Sequence, residues 1–158
     1  LFRSNMKKKI YLDDVRTPID SSWEVVRDFN QFCAKVQELG LKNIECISFD
    51  HDLGPTAMRE YFNNVYKHGE LDYDNIQEKT GYDCAKWLVN YYYDNLSDAS
   101  MDDEPVVIWE PRKINFPDCY VHSANVVGAY NIIGYLENFY YNELDHLNDV
   151  YDELYRFL

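Results

Sequence analysis

The chain has 158 residues, 46 % hydrophobic and 16 % aromatic, which suits one domain with a proper core and excludes a disordered chain. Its formal net charge of −13 repels duplex nucleic acid and excludes general DNA binding. A small anionic substrate is compatible with that charge only where a cation or a helix N-terminus neutralises it locally.

Residues 1–5 precede Met6 and read as a tag remnant, so a single domain is expected over 6–158. "KKIYLDD" is a short apolar run ending in two acids and predicts a buried strand from Lys8 to Asp13. "WEVVRDF" predicts a second strand. The link to it, with Pro18, is barely long enough for a parallel crossover without a helix, which leaves that strand displaced or absent. "NQFCAKVQELG" predicts a helix capped by Asn30, with Phe32, Val36 and Leu39 on one side and Gly40 as its stop.

"IECISFD" predicts the third strand. A polar insert follows from Gly54 to Lys79, with a helix expected around Ala57–Tyr66. "TGYDCAKWLVNYYYDN" opens with a capping-box-like Thr80 and Asp83 and carries Ala85, Leu88, Val89 and Tyr92 as a core-facing stripe. "LSDASMDDEP" reads as a surface loop and "VVIWEP" as an edge strand or extended passage. "DCYVHSAN" is the fourth strand, with Ser123 or Asn125 capping a helix from Val126 to about Leu144. A last helical segment bears Leu144, Leu147, Tyr151, Leu154 and Leu158, a stripe that packs on the same domain or forms a homodimer seam.

Strands alternating with helices predict an α/β fold: a mostly parallel sheet covered by helices on both faces. The cysteines Cys33, Cys46, Cys84 and Cys119 form no CxxC pair and read as buried free thiols of a reducing cytoplasm. No apolar run is long enough to cross a membrane and no leader is visible, so no membrane partner is expected. The many Asn, Lys, Tyr and Ile residues suggest an AT-rich genome, bacterial or of a bacterial virus.

Three strands end in polar clusters: Asp13-Asp14, Asp50-His51-Asp52 and His122-Ser123-Ala124-Asn125. A parallel sheet brings such ends to one edge, where ligands bind. Carboxylates crowded there repel each other until a divalent cation intervenes, and oxygen ligands suit Mg²⁺ or Mn²⁺. Asp13, Asp14, Asp50 and Asp52 are therefore the candidate metal ligands. The N-terminus of the following helix, with Ser123 and Asn125, suits a phosphate. Arg16, just after the acidic pair, serves equally as a phosphate clamp or as a surface residue. Ser123 and Asn125 serve equally as plain helix caps, and His51 as a hydrogen-bonded packing residue.

The stretches "IYLDDVRTP", "ISFDHDLG", "TGYD" and "VHSANVVG", in that order, resemble the motifs of the cyclic-phosphate processing receiver-like domains, relatives of response-regulator receivers. The resemblance runs from about Lys8 to Asn131 and leaves out the insert after Gly54 and the final helix. It implies a receiver-like, flavodoxin-like fold with an extra C-terminal helix. It matches Asp13 and Asp14 to the acidic pair that holds Mg²⁺, Asp50 to the phosphoacceptor and Ser123 to the hydroxyl residue ending the fourth strand. Receivers place a lysine at the end of a fifth strand. After Asn125 this chain has no lysine and no clear strand, and it adds His51 and His122.

The resemblance implies a small phosphate-containing substrate, either a cyclic nucleotide or a 2′,3′-cyclic RNA end. The leading expectation is a metal-dependent phosphoesterase in which a water made acidic by the cation attacks phosphorus and His122 or His51 protonates the leaving oxygen. A variant uses Asp50 as the nucleophile. The alternatives are a receiver that accepts phosphate on Asp50 without turnover, and a non-catalytic nucleotide or protein binder.

Overall fold

The computed structural model describes residues 6–96 and 114–155, with side chains described as far as Leu147. Four strands, β1 (Lys8–Leu12), β2 (Trp23–Val26), β3 (Ile44–Phe49) and β4 (Asp118–Val121), form one sheet in the order β2-β1-β3-β4. All pairings are parallel, with Leu12 opposite both Val26 and Phe49, and Phe49 opposite Val121. The next amides continue the ladder: Asp13 N donates to Val26 O, Asp50 N to Leu12 O and His122 N to Phe49 O. Asp13, Arg27, Asp50 and His122 therefore leave the sheet in one row. This register places the site.

β2, predicted from "WEVVRDF" and doubted only for its short link, is present and parallel to β1. Residues 13–22 reach it without a helix because Arg27 clasps the loop. Its Nη1 donates to Asp13 O (3.0 Å) and Arg16 O (2.6 Å), and its Nη2 to Thr17 Oγ1 (2.7 Å). Helix α1 (Phe29–Leu39) is capped by Asp28, whose carboxylate accepts from Gln31 N at 2.8 Å, and not by Asn30. Asp28 is extended and stands one residue ahead of the helix, whereas Asn30 already lies in the first turn. At its other end Gly40 takes φ 77°, the left-handed geometry that stops the helix.

The insert holds α2 (Pro55–Glu60), a wide π-helical turn (Tyr61–Val65) and α3 (Tyr66–His68), so the expected helix is present and longer than expected. Two carboxylates organise it. Buried Glu60 accepts from Asn64, Asp72 N and Asn75. Glu78 accepts from Ala57 N and the Thr56 hydroxyl at the start of α2. Helix α4 (Gly81–Asp94) begins with the expected Thr80–Asp83 capping box, and Ala85, Leu88, Val89 and Tyr92 are buried.

Helix α5 (Val126–Tyr155) is continuous, where two segments were expected, because neither Gly nor Pro occurs between Tyr135 and Tyr155 to break it. Leu144 and Leu147 pack against the core. The side chains of Tyr151, Leu154 and Leu158 lie outside the described residues, as do the loop and the edge strand or passage expected over 97–111. No described helix is long and apolar enough to cross a membrane. Cys33, Cys46, Cys84 and Cys119 are free thiols.

The receiver-like α/β class holds: a four-stranded parallel sheet with helices and a long C-terminal helix. Ile10, Leu12, Ile47 and Phe49 share a single core with Phe32, Leu88, Tyr92, Ile132 and Phe139. Phe32 meets Phe49 at 5.6 Å between centroids, and Tyr92 meets Phe139 at 5.2 Å. Helices α1, α4 and α5 pack with the strands in this core, and no crossover helix joins β1 to β2. The second face bears Tyr11, Trp23, Ser48 and Tyr120, the last 56 % exposed.

Candidate active site

The row of strand ends gathers Asp13, Asp14 and Asp50, with carboxylate oxygens all within 4.8 Å of one another. Asp13 is fully buried and saturated with donors. Its Oδ1 accepts from Val15 N (3.0 Å) and Arg16 N (2.7 Å), and its Oδ2 from Arg16 Nε (2.7 Å) and His122 Nε2 (3.1 Å). Burial alone would raise its pKa. The backbone N–H groups of Arg16 and Val15, the guanidinium and His122 outweigh that and hold the carboxyl below its usual range.

Asp14 and Asp50 go the other way. Burial, then the charge of Asp13, raises Asp14. The same two causes, in the same order, push Asp50 up to about 6, although Ser123 and Arg16 oppose the shift. Arg16 Nη2 lies 3.7 Å from Asp50 Oδ2 and donates to His122 O at 3.2 Å, so one half-exposed guanidinium ties the ends of β1, β3 and β4 together.

His122 stacks on Tyr11, with ring centroids 4.2 Å apart and 11° between planes. Because a carboxylate only accepts, Nε2 carries the proton given to Asp13. Nδ1 then faces Ser48 Oγ at 2.7 Å. Burial lowers the pKa of His122, with Asp13 opposing. Ser123 Oγ accepts from Asn125 N at 3.1 Å and hydrogen-bonds Asp50.

His51 is placed differently from the expectation. It is fully buried, with both ring nitrogens used: Nδ1 donates to Asp52 Oδ1 (2.7 Å) and Nε2 accepts from Tyr73 Oη (3.0 Å). The sequence places it directly after Asp50, and the alternation of side chains along an extended end turns it inward as Asp50 turns out. Asp52 Oδ1 also accepts from Asn125 Nδ2 at 3.1 Å, so Asp52 stands apart from the three-carboxylate cluster. Asn125 is fully buried. Its Oδ1 accepts from Gly128 N (2.9 Å), making it the cap of α5 and leaving no free group for a ligand.

Two glycines make this packing possible. A Cβ on Gly128 would stand 2.3 Å from His51 Cγ, and one on Gly81 would stand 1.9 Å from the Asp50 carbonyl oxygen. Sequence reasoning missed Tyr73 and Asn131, which donates to Tyr73 Oη at 3.0 Å, as well as Ser48 and Arg27. Ser48 lies within the predicted third strand, but nothing local signals that His122 stands beside it.

The donor set fits a divalent cation. Three hard oxygen donors converge, burial and then the charge of Asp13 raise the pKa values of Asp14 and Asp50, and Arg16 and His122 hold Asp13 in place.

A parallel sheet with an acidic cluster at its carboxyl edge is a receiver-like arrangement. The family model described as "Cyclic-phosphate processing Receiver domain" matches residues 8–138, and the chain belongs to that family. Comparison with curated proteins and with solved structures finds no significant match.

Proposed function

We propose that the protein is a metal-dependent phosphoesterase that opens a cyclic phosphate. The observation that carries the reading is the convergence of Asp13, Asp14 and Asp50 with Arg16 and His122 at one strand edge. Asp14 and Asp50 would hold Mg²⁺ or Mn²⁺, with Asp13 locked behind them by its four donors. A cation held there supplies charge for the phosphate oxygens and acidity for a water molecule.

The chain's own groups do the rest. Arg16 and the Ser123 hydroxyl bind phosphate oxygens. Water adds to phosphorus and releases one proton to solvent, one ring P–O bond breaks, and protonated His122 gives its Nε2 proton to the leaving oxygen. Ser48 holds the ring in place through Nδ1. His51 takes no part in proton transfer, because both its nitrogens are bonded within the core.

The test is turnover of 2′,3′-cyclic and 3′,5′-cyclic mononucleotides, cyclic dinucleotides and cyclic-ended RNA with Mg²⁺ or Mn²⁺. Hydrolysis should require metal, Asp50 and His122. The buried Asp50 at the end of β3 also favours a second reading, a phosphoacceptor. Stable labelling of Asp50 by a small phosphodonor, without turnover of the panel, would replace the first reading by the second.

A further inference from the structure

A cavity of about 260 Å³ lies between the insert and the start of α4, lined by Tyr73, Ile76, Glu78, Tyr82, Asp83 and Lys86, with Thr80 at its base. Its walls are of two kinds. Tyr73 and Tyr82 stack at 5.6 Å and, with Ile76, give an apolar side. Opposite in character are Lys86, whose Nζ sits 4.6 Å over the Tyr82 ring, and Asp83, whose Oδ1 lies 3.6 Å from that ammonium. Asp83 Oδ2 is used by Thr80 in the capping box, and Glu78 is used at the start of α2. One carboxylate oxygen and one ammonium therefore stand side by side at the cavity wall.

The cavity is tied to the acidic cluster. The Tyr73 ring lines it while the Tyr73 hydroxyl bonds His51, next in the chain to Asp50. Gly81 N donates to His51 O at 2.8 Å, and the missing Cβ of Gly81 lets α4 start against the Asp50 carbonyl. The charge of Asp52 acts on Asp14 and Asp50 on one side and on Tyr73 on the other.

We propose that this cavity is the nucleobase subsite: a planar nitrogen heterocycle enters along Ile76, Tyr73 and Tyr82 and turns its polar edge to Lys86 and Asp83. The Watson–Crick edge of every base sets a hydrogen-bond donor beside an acceptor, which complements an adjacent carboxylate and ammonium. The inference rests on the cyclic-phosphate reading and assigns the substrate's base its place in the fold.

The test uses three probes: adenosine and guanosine without phosphate, methyl riboside 2,3-cyclic phosphate without a base, and the corresponding nucleoside 2′,3′-cyclic phosphates. NMR follows the Ile76 methyls and the Tyr82 ring in the wild type and in Lys86→Ala, and the Tyr82 ring alone in Ile76→Trp, which fills the cavity. The nucleosides should shift those signals. Both variants should weaken nucleoside cyclic phosphates roughly tenfold relative to the base-free probe.

Nucleosides that leave Ile76 and Tyr82 unmoved overturn the subsite, whatever the turnover. So do variants that weaken both phosphate probes equally. Nucleosides that bind in the cavity while no cyclic phosphate is opened would sustain the subsite and overturn the phosphoesterase.

Discussion

His122 reaches across three strands' worth of sheet edge to Asp13: Nε2 of the residue after β4 stands 3.1 Å from Oδ2 of the residue after β1. The contact is a clamp on Asp13, and the proposed reaction adds a proton source on the same ring nitrogen; substitutions can separate the two. His122→Gln keeps an N–H donor for Asp13 but cannot protonate a leaving oxygen. It should lower kcat by about 10²- to 10⁴-fold with metal affinity retained. His122→Ala should lose both, which paired kinetic and metal-binding titrations would reveal.

Asp50→Asn should stabilise the metal-free protein. The folded-state pKa of Asp50 is raised to about 6, so the stability it contributes is full below its unfolded value and is lost as pH rises through 6. At pH 7 the ionised carboxylate opposes folding by about 2–3 kcal/mol, and an amide removes that opposition. Thermal unfolding with a chelator should show a higher Tm for the variant. With Mn²⁺ added, the wild type should gain stability and the variant much less.

Cation affinity should rise with pH through about 6, because the ion must displace the Asp50 proton. Calorimetric titrations in buffers of different ionisation enthalpy would show proton release that is larger at pH 5.5 than at pH 7.5. An affinity flat across that range would remove Asp50 from the ligand set.

His122 pulls stability the opposite way. Burial lowers its folded pKa, so its contribution is present above the ordinary imidazole value of 6.5 and is lost as pH falls through the lowered value. The metal-free Asp50→Asn protein should therefore lose stability on acidification below pH 6.5 more steeply than the Asp50→Asn/His122→Gln double variant. Denaturant unfolding across pH 5–7.5 measures both slopes.

Gly81→Ala should destabilise the fold more than Gly128→Ala. The added methyl at residue 81 meets a backbone carbonyl that has nowhere to go, whereas at residue 128 it meets the His51 ring. Losses of about 3 kcal/mol or more and about 1–3 kcal/mol are expected, read from urea midpoints.

The strand ends were the legible part of the site. An apolar run that stops at an acid reads the same way in sequence and in space, so Asp13, Asp14 and Asp50 were found by their position alone. His51 shows the limit: its chemistry suited a site, yet a side chain's direction at a strand end depends on what packs behind it, here Gly128, Tyr73 and Asn125. The cap of α1 was misplaced by two residues because Asp28 and Asn30 are both good caps and only backbone conformation chooses between them. Tyr73 was hidden because the insert's polar composition says nothing of the one hydroxyl it sends into the core. β2 was doubted on link length alone, since the clasp that shortens the path, Arg27 on Asp13 and Arg16, lies beyond the loop it fastens.

The clamp on Asp13 also gives the site a birth order. Asp13, Asp14 and Asp50 emerge from the ribosome long before His122, which is 109 residues beyond Asp13 in the chain. A growing chain thus displays crowded carboxylates before it owns the strand that steadies them. The clamp can close only once β4 has docked, so a chain that stops short of it leaves Asp13 without its His122 donor.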